Sequence, residues 1–288
     1  MEASILYPPD YPPQLREIPG PPEKLWLRGS LLPAGHKLLA VVGSRALTPY
    51  GREACEFLVE GLAGYPISIV SGLALGADAV AHRAALAASL HTIAIPGSGL
   101  GDDVLYPRSN VTLAHDILAA GGTLISEQEP GHQAQPWDFP SRNRLMAGIS
   151  DAVLVIEAGP KSGSLITARL AGEYNRDLLC VPHRIGDPHA DACHTFVRLG
   201  AALVSEPAHI LEVLGIAPRV PAGAGACGEP PLPLSSEERI IYDALAEPLP
   251  RDELIRASGL SPRDALMLIG MLELKGIIKE EFGSWRRV

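Results

Sequence analysis

Short apolar runs alternate with longer amphipathic stretches through most of the chain. From about residue 36, each β-branched run is followed by a Gly-containing turn and an Ala-rich stretch with helical spacing. The runs predict strands at residues 38–42, 67–71, 92–95, 123–126, 152–156, 178–181 and 201–204. The stretches between them predict helices, for example at residues 50–62, 77–88, 142–148 and 165–174. This alternation is typical of an α/β, Rossmann-like fold, whose mostly parallel sheet carries helices on both faces.

The same pattern divides the 288 residues into four parts. Residues 1–35 are Pro-rich without helical periodicity, which predicts a lead-in that packs on the core at 36–215. Residues 216–234 hold five Pro and three Gly and predict a linker. In residues 235–288, helix-turn-helix spacing is followed by a short hairpin, which predicts a small winged-helix domain.

Composition narrows the class of protein. No apolar run approaches the ~20 residues that a membrane span requires, and the N-terminus has no signal-peptide pattern. We therefore expect a cytoplasmic protein that does not use a membrane. The four cysteines form no CxxC pair, which excludes a disulfide framework and a zinc ribbon.

Charge excludes a protein that coats nucleic acid. The net charge is −9, with twelve basic against eighteen acidic residues in 36–215. Five of those basic residues follow predicted strands, at the carboxyl edge of the sheet where ligands bind in such folds. They are Arg45, Arg108, Arg142, Arg144 and Lys161. The pattern predicts a focused positive pocket on an acidic body.

Three segments at that edge have the composition of anion or nucleic-acid sites. Gly43, Ser44 and Arg45 form a strand-to-helix turn, where backbone N–H groups, the helix N-terminus and a guanidinium suit a phosphate. The alternative is an ordinary turn. Phe139 precedes Arg142, Asn143 and Arg144 at a predicted helix start, a pattern of stacking ring and cations that suits single strands. The alternative is a core ring with solvated arginines.

The third segment follows the strand at 152–156. Lys161, Ser162, Gly163 and Ser164 lead into a helix that carries Thr167, which predicts an anion site at the helix N-terminus. The alternative is a plain capping turn. The segment is not a Walker A loop, because no Gly-Lys-Ser/Thr closes it.

No catalytic or metal-binding set accompanies these turns. Asp78 and His82 lie four residues apart on one helix face, which favours a structural contact over an acid–base pair. The cluster from His183 to His194 matches no standard metal spacing. We therefore expect no catalytic residue, no metal and no cofactor, and a protein that binds rather than catalyses.

Taken in order, these segments resemble the DprA/Smf family of DNA-processing proteins. The resemblance runs through VVGSRALTPYG, SGLALGADAVAHRAAL, TIAIPGSGLGDDVLYPRSN, LISEQEPG, FPSRNRLMAGIS and VLVIEAGPKSGSLITARLA. It covers residues 5–288 with the expected spacing. The chain departs from the family pattern after the strand at 178–181, where Pro182-His183 and DACHTF replace a Pro-Gly and a Ser-x-Gly-x-Asn stretch.

The resemblance implies a recombination mediator that is not an enzyme. Such a protein binds and protects single-stranded DNA in natural transformation, helps to load a RecA-type recombinase, and displaces single-strand binding protein. It works as a homodimer. The family's DNA-contacting residues correspond to the three segments above, with Phe139 as a base contact.

Two other functions stay open from the sequence. The core is also similar to nucleotide-binding hydrolases of the lysine-decarboxylase-like type, which cleave N-glycosidic bonds, but Arg169 stands where their catalytic Glu is expected. A winged-helix transcription regulator is the other alternative. With eight basic and ten acidic residues, the tail at 235–288 predicts a weak role in DNA binding and a contact with protein instead.

Overall fold

The computed structural model describes residues 3–159, 162–189, 191–217, 234–247, 249–281 and 284–287. The chain forms two compact units, Met1–Pro218 and Arg219–Val288. The linker predicted at 216–234 lies mostly outside the described residues. Among the described residues, no helix has both the length and the apolar character needed to cross a bilayer.

The first unit is built on a nine-stranded sheet. Its strands are β1 (Ser4–Leu6), β2 (Leu25–Gly29), β3 (Lys37–Val42), β4 (Ile67–Ser71), β5 (His91–Ala94), β6 (Thr123–Ser126), β7 (Ala152–Val155), β8 (Asp177–Cys180) and β9 (Ala202–Leu203). The spatial order is β1-β2-β6-β5-β4-β3-β7-β8-β9. Strands β3 to β9 pair in parallel, as the near-continuous apolar runs predict.

Helices cover both faces of this sheet. They are α1 (Pro13–Glu17), α2 (Pro49–Glu60), α3 (Ala77–Ala87), α4 (Val111–Ala119), α5 (Asp138–Ile149), α6 (Ser164–Glu173), α7 (Asp191–Arg198) and α8 (Pro207–Val213). One apolar core joins the sheet to α1, α5, α6 and α7, and a second joins it to α2, α3 and α8. The predicted Rossmann-like architecture is confirmed.

The lead-in does more than pack on the core. Strand β2 pairs antiparallel with both β1 and β6, so this segment forms one edge of the sheet. Helix α1 packs on α5, where the methyl groups of Ile18 leave no room for a side chain at Gly148. The sequence pattern missed both strands because they are short and flanked by proline.

The strand order creates a switch point beside β3. The chain proceeds from β3 outward to β6 and then returns to β7 on the other side of β3. At such a point the crossover connections leave in opposite directions, which opens a crevice at the carboxyl ends of the two strands. Val42 pairs with Val155 there, so the turns that follow these two residues flank the crevice.

The second unit is a winged helix, as predicted. It contains α9 (Ser236–Ala244), β10 (Leu249–Pro250), α10 (Arg251–Ser258), α11 (Pro262–Leu274), β11 (Ile278–Glu281) and β12 (Ser284–Arg287). Ser235 and Glu238 form a reciprocal capping box at the start of α9. The buried side chains of Leu254, Ile269 and Trp285 belong to its own core.

Candidate nucleic-acid site at the switch point

A cavity of about 770 Å³ occupies the crevice at the switch point. Its size is within the range of ligand pockets. Most of the sequence-predicted residues line it: Gly43, Ser44, Arg45, Phe139, Arg142, Asn143, Ser162, Gly163, Ser164 and Thr167. The structure thus brings together three segments that lie far apart in the chain.

The turn after β3 is held against α3 by close backbone packing. The N–H of Ala77 donates to the carbonyl of Ser44 at 3.1 Å. A Cβ at Gly76 would lie 2.2 Å from that carbonyl oxygen, and this residue has a φ of +73°. Glycine is therefore required at position 76 to bring the Gly43–Arg45 turn to the cavity.

Arg45 and Phe139 form a stacked pair at the cavity. The guanidinium carbon of Arg45 lies 5.2 Å from the centre of the Phe139 ring. The centres of the Tyr106 and Phe139 rings are 5.7 Å apart. A Cβ at Gly97 would lie 2.9 Å from the Phe139 ring, so the backbone of Gly97 also packs closely against this ring. This arrangement places a cation and an aromatic face side by side, as in sites for unstacked bases.

Arg142 lines the cavity but bonds to protein groups. Its Nη1 donates to the carbonyls of Gly72 at 2.5 Å and Ile95 at 2.6 Å. Its Nε donates to Oδ1 of Asn143 at 3.2 Å, and only 7% of the residue is exposed. The guanidinium therefore ties the ends of β4 and β5 to α5, and it adds buried positive charge behind the cavity.

Asp78 balances that charge. Its Oδ2 accepts from the N–H groups of Gly72 at 3.1 Å and Ala74 at 3.2 Å. Burial raises the pKa of Asp78 and lowers the pKa of Arg142, while the attraction between the two charges opposes both shifts. The ring of His82 bonds to Thr92 instead, at 2.8 Å, so Asp78 and His82 have separate partners.

The start of α6 forms the other wall. The hydroxyl groups of Ser162 and Ser164 are hydrogen-bonded to each other at 2.6 Å. The Nδ2 of Asn143 donates to the carbonyl of Gly163 at 3.3 Å. The first turn of α6 contains no acidic residue. The buried hydroxyl of Thr167 has no hydrogen-bond partner among the described residues.

Two predicted site residues are not part of this cavity as described. The Nη2 of Arg144 contacts Oε1 of Glu127, which follows β6, at 2.5 Å, and its Nη1 donates to the carbonyl of Gly20 in the lead-in at 2.9 Å. Lys161 lies outside the described residues. The assignment of both as DNA contacts stays a prediction.

Three residues at this edge were not assigned to the site by the sequence analysis. Asp78 and His189 line the cavity. Glu157 follows β7, is 1% exposed, and accepts hydrogen bonds from the N–H and the hydroxyl of Thr48 at the start of α2. The sequence signal for Glu157 is a single acidic residue at the end of an apolar run. The neighbouring sequence does not indicate that Thr48 is its hydrogen-bond partner.

Comparison with known proteins assigns the chain to a family. The model of DNA recombination-mediator protein A matches residues 3–215, and that of the DprA winged helix domain matches residues 228–283. Protein Smf of Escherichia coli is 43% identical over 204 residues, which cover 71% of this chain but only 54% of that protein. DNA processing protein DprA of Streptococcus pneumoniae is 41% identical over 201 residues, or 70% of each chain.

Two solved structures are similar to this chain. The X-ray structure of DprA from Streptococcus pneumoniae has a TM-score of 0.68 at 38% identity, covering 73% of this chain and 74% of that one. A structure of DprA from Helicobacter pylori, described for its single-stranded DNA binding mode, has a TM-score of 0.66 at 31% identity. It covers 74% of this chain and 95% of that chain. The chain therefore belongs to the DNA recombination-mediator protein A family.

Proposed function

We propose that the protein binds single-stranded DNA in the switch-point cavity. The observation that carries this is the Arg45–Phe139 pair beside the start of α6, in one cavity. An unstacked base can lie on the ring, while its phosphate meets the guanidinium and the helix N-terminus. A duplex has its base faces covered by stacking and offers none to the ring. The Helicobacter pylori relative is described as a single-strand binder, which supports the proposal.

The experiment is fluorescence anisotropy of a labelled oligothymidine and a matched duplex over a salt series. We expect tight binding of the single strand, weak binding of the duplex, and a linear fall of log affinity with log salt. The Arg45→Glu/Lys161→Glu double variant should lose most of this affinity.

A control variant carries the same change in net charge at other sites. Arg52 and Arg198 are exposed on α2 and α7 and do not line the cavity. Arg52→Glu/Arg198→Glu should retain most of the affinity. Equal losses in the two double variants would mean that overall charge, and not the cavity, binds the strand.

The finer proposal is a mediator of recombination in natural transformation. The protein would protect an incoming strand in the cytoplasm, displace single-strand binding protein and help a RecA-type recombinase to load. It would act as a homodimer. The assay is strand-dependent ATP hydrolysis by the recombinase on DNA coated with single-strand binding protein. Addition of this protein should shorten the lag, and the Arg45→Glu/Lys161→Glu variant should not.

We further propose that the protein acts by binding and is not an enzyme. Asp78 is bonded to two backbone N–H groups, and Glu157 is bonded to Thr48. Both carboxylates are buried and accept hydrogen bonds from the protein, so neither is an open general base. The test is incubation with nucleoside monophosphates and chromatography for free base. Release of free base above the uncatalysed rate would instead support the alternative function, an N-glycosidic hydrolase.

A further inference from the structure

Two buried cysteines lie together at the carboxyl ends of β7 and β8. Cys180 ends β8, and Cys193 is the third residue of α7. Both are fully buried in the same apolar core, and both are free thiols. Cys180 is the strand partner of Val155, and the sulfur of Cys193 lies 4.0 Å from the carbonyl oxygen of Val155. The two thiols are hydrogen-bonded to each other, so the fold holds the two sulfur atoms side by side.

The contacts of this pair give the two thiols different acidities. The hydrogen bond from Cys180 lowers the pKa of Cys193; burial opposes this shift, and the ring of His183 adds to it. The same hydrogen bond, together with burial, raises the pKa of Cys180. Cys193 is therefore the thiol that ionises, while Cys180 keeps its proton beside it.

His183 is placed to take the proton of Cys193. Its Nε2 lies 2.8 Å from the carbonyl oxygen of Ile156, and a carbonyl can only accept, so Nε2 carries a proton. Its Nδ1 is buried and makes no hydrogen bond of normal length among the described residues. Burial alone would lower the pKa of His183, but the contact with Cys193 raises it. A basic nitrogen beside a thiol activates that thiol as a nucleophile.

The arrangement fits oxidation by a small molecule. Among the described residues, no group of three or more His, Cys, Asp or Glu side chains is arranged to hold a metal ion. Both cysteines are 0% exposed, which excludes attack on a bulky substrate. Hydrogen peroxide is nearly as small as water, and the segment between the cysteines is exposed at residues 184–186. Brief local opening of this segment is enough to admit a peroxide.

We propose that Cys180 and Cys193 are a reversible oxidation site, at which hydrogen peroxide converts the two thiols into a disulfide. The Cys193 thiolate attacks one peroxide oxygen, so that an S–O bond forms and the O–O bond breaks; the leaving hydroxide takes the proton from His183 and becomes water. The sulfur of Cys180 then attacks the sulfenic acid, so that the S–S bond forms and the S–O bond breaks. The second hydroxide leaves with the proton of Cys180 as water. The thiols lose two electrons, which the peroxide gains, and a dithiol reductant reverses the change by exchange.

The disulfide would stabilise one wall of the switch-point cavity. The carbonyl of Ala158 accepts from the N–H of Ala192 at 3.3 Å, and the N–H of Ala158 donates to the carbonyl of His189 at 3.0 Å. His189 lines the cavity. The bond therefore cross-links β8 to the helix that supports this wall, and it closes a short loop of the chain, which stabilises the fold. The proposal concerns the chain alone and does not depend on DNA binding.

The experiment is oxidation of the full chain with hydrogen peroxide, without DNA, followed by alkylation, tryptic digestion without reduction, and mass spectrometry. Trypsin cuts after Arg176, Arg184 and Arg198, which separates the two cysteines. We expect peptides 177–184 and 185–198 as one linked species that a dithiol reductant separates. The midpoint of thermal unfolding should rise by about 5 °C on oxidation and return on reduction.

Three variants test the roles within the pair. Cys55 lies in the other apolar core, and burial raises its pKa to about 12, so Cys55→Ala should form the linked species as fast as the wild type. Cys180→Ala removes the second thiol, so the sulfenic acid of Cys193 should persist and react with dimedone. His183→Gln should slow the linkage roughly tenfold, because the proton of Cys193 loses its acceptor.

The result on the wild type decides the proposal, because it does not depend on how any variant folds. Absence of the linked species, or linkage through Cys55 or Cys227 in its place, would overturn the oxidation site. Thermal unfolding of each reduced variant shows that it is folded. In a folded His183→Gln variant, a rate equal to that of the wild type would show that His183 takes no part in the step.

Discussion

The helices α2 and α6 begin on either side of the switch point. A carboxylate lies at the N-terminus of α2, whereas the first turn of α6 has no acidic residue. Each follows a strand and a turn that contains Gly and Ser. At the start of α2, the carboxylate of Glu157 accepts from the N–H and hydroxyl of Thr48. At the start of α6, the first turn holds no acidic residue, and the nearby Thr167 hydroxyl has no partner among the described residues.

The difference shows that the fold occupies one helix start with its own carboxylate and leaves the other without one. The macrodipole makes either N-terminus favourable for a negative charge. The chain supplies that charge to α2 from the end of β7, 109 residues away in sequence. In the proposed function, a DNA phosphate would therefore bind at the start of α6, with Arg45 as its cation from the α2 side.

The largest effect is expected from placing a negative charge at the N-terminus of α6. Gly163→Asp places a carboxylate there, and no described residue lies within 4 Å of the new Cβ. Single-strand affinity should fall on the order of a hundredfold, because the dipole is neutralised and a phosphate would meet a like charge. Anisotropy with oligothymidine measures the loss. Gly172→Asp, at the other end of α6 and equally open, should bind within about twofold of the wild type.

Helix α3 differs from both, because it carries a buried histidine, His82, that makes the stability of the fold depend on pH. Burial, together with the positive charge of Arg142, lowers the pKa of His82 to about 3. The ring is neutral in the fold and gains a proton on unfolding below pH ~6.5. Stability should therefore fall as the pH drops below ~6.5, by about 2 kcal/mol at pH 5, and go on falling toward pH 3.

Urea denaturation at several pH values measures this slope. His82→Gln should flatten the decline between pH 6.5 and 5, whatever its effect on stability at neutral pH. An unchanged slope in His82→Gln would contradict the assignment of the acid sensitivity to this ring.

Removal of Arg45 tests the contribution of the α2 side. Arg45→Gln should weaken single-strand binding about tenfold, since a hydrogen-bonded charge is lost. The slope of log affinity against log salt should also fall by about 0.7 for the one phosphate contact removed. Arg52→Gln, one turn into α2 and exposed, serves as the control. A loss of affinity without a change in slope would assign Arg45 to stacking on Phe139 alone.

The smallest effect is expected from removing the negative charge of Glu157 at the N-terminus of α2. Glu157→Gln keeps an acceptor for Thr48 but removes the negative charge. Single-strand affinity should rise about threefold, because a second helix N-terminus then faces the phosphates without its own carboxylate. Glu53→Gln makes the same charge change at an exposed position of α2. If the two variants gain equally, net charge explains the gain, and the proposed role of Glu157 is wrong.

The parts of the fold that follow local patterns could be predicted from the sequence. The parallel strands, the main helices and the winged helix follow from apolar periodicity and capping residues. The cavity residues followed from turns at strand ends, because all parallel strands deliver those turns to one edge. The partners of Arg142, Arg144 and Glu157 could not be predicted, since each depends on a residue distant in sequence.

The antiparallel pairing of β2 with β6 has a consequence for the order of folding. Trp26 pairs with Ser126, about a hundred residues further along the chain. During synthesis β2 therefore leaves the ribosome long before its partner exists, and closing so long a loop is slow. The apolar side chains of Leu25 and Leu27, buried in the final fold, stay uncovered in that interval. Nascent chains that end before β6 should be the most dependent on chaperones.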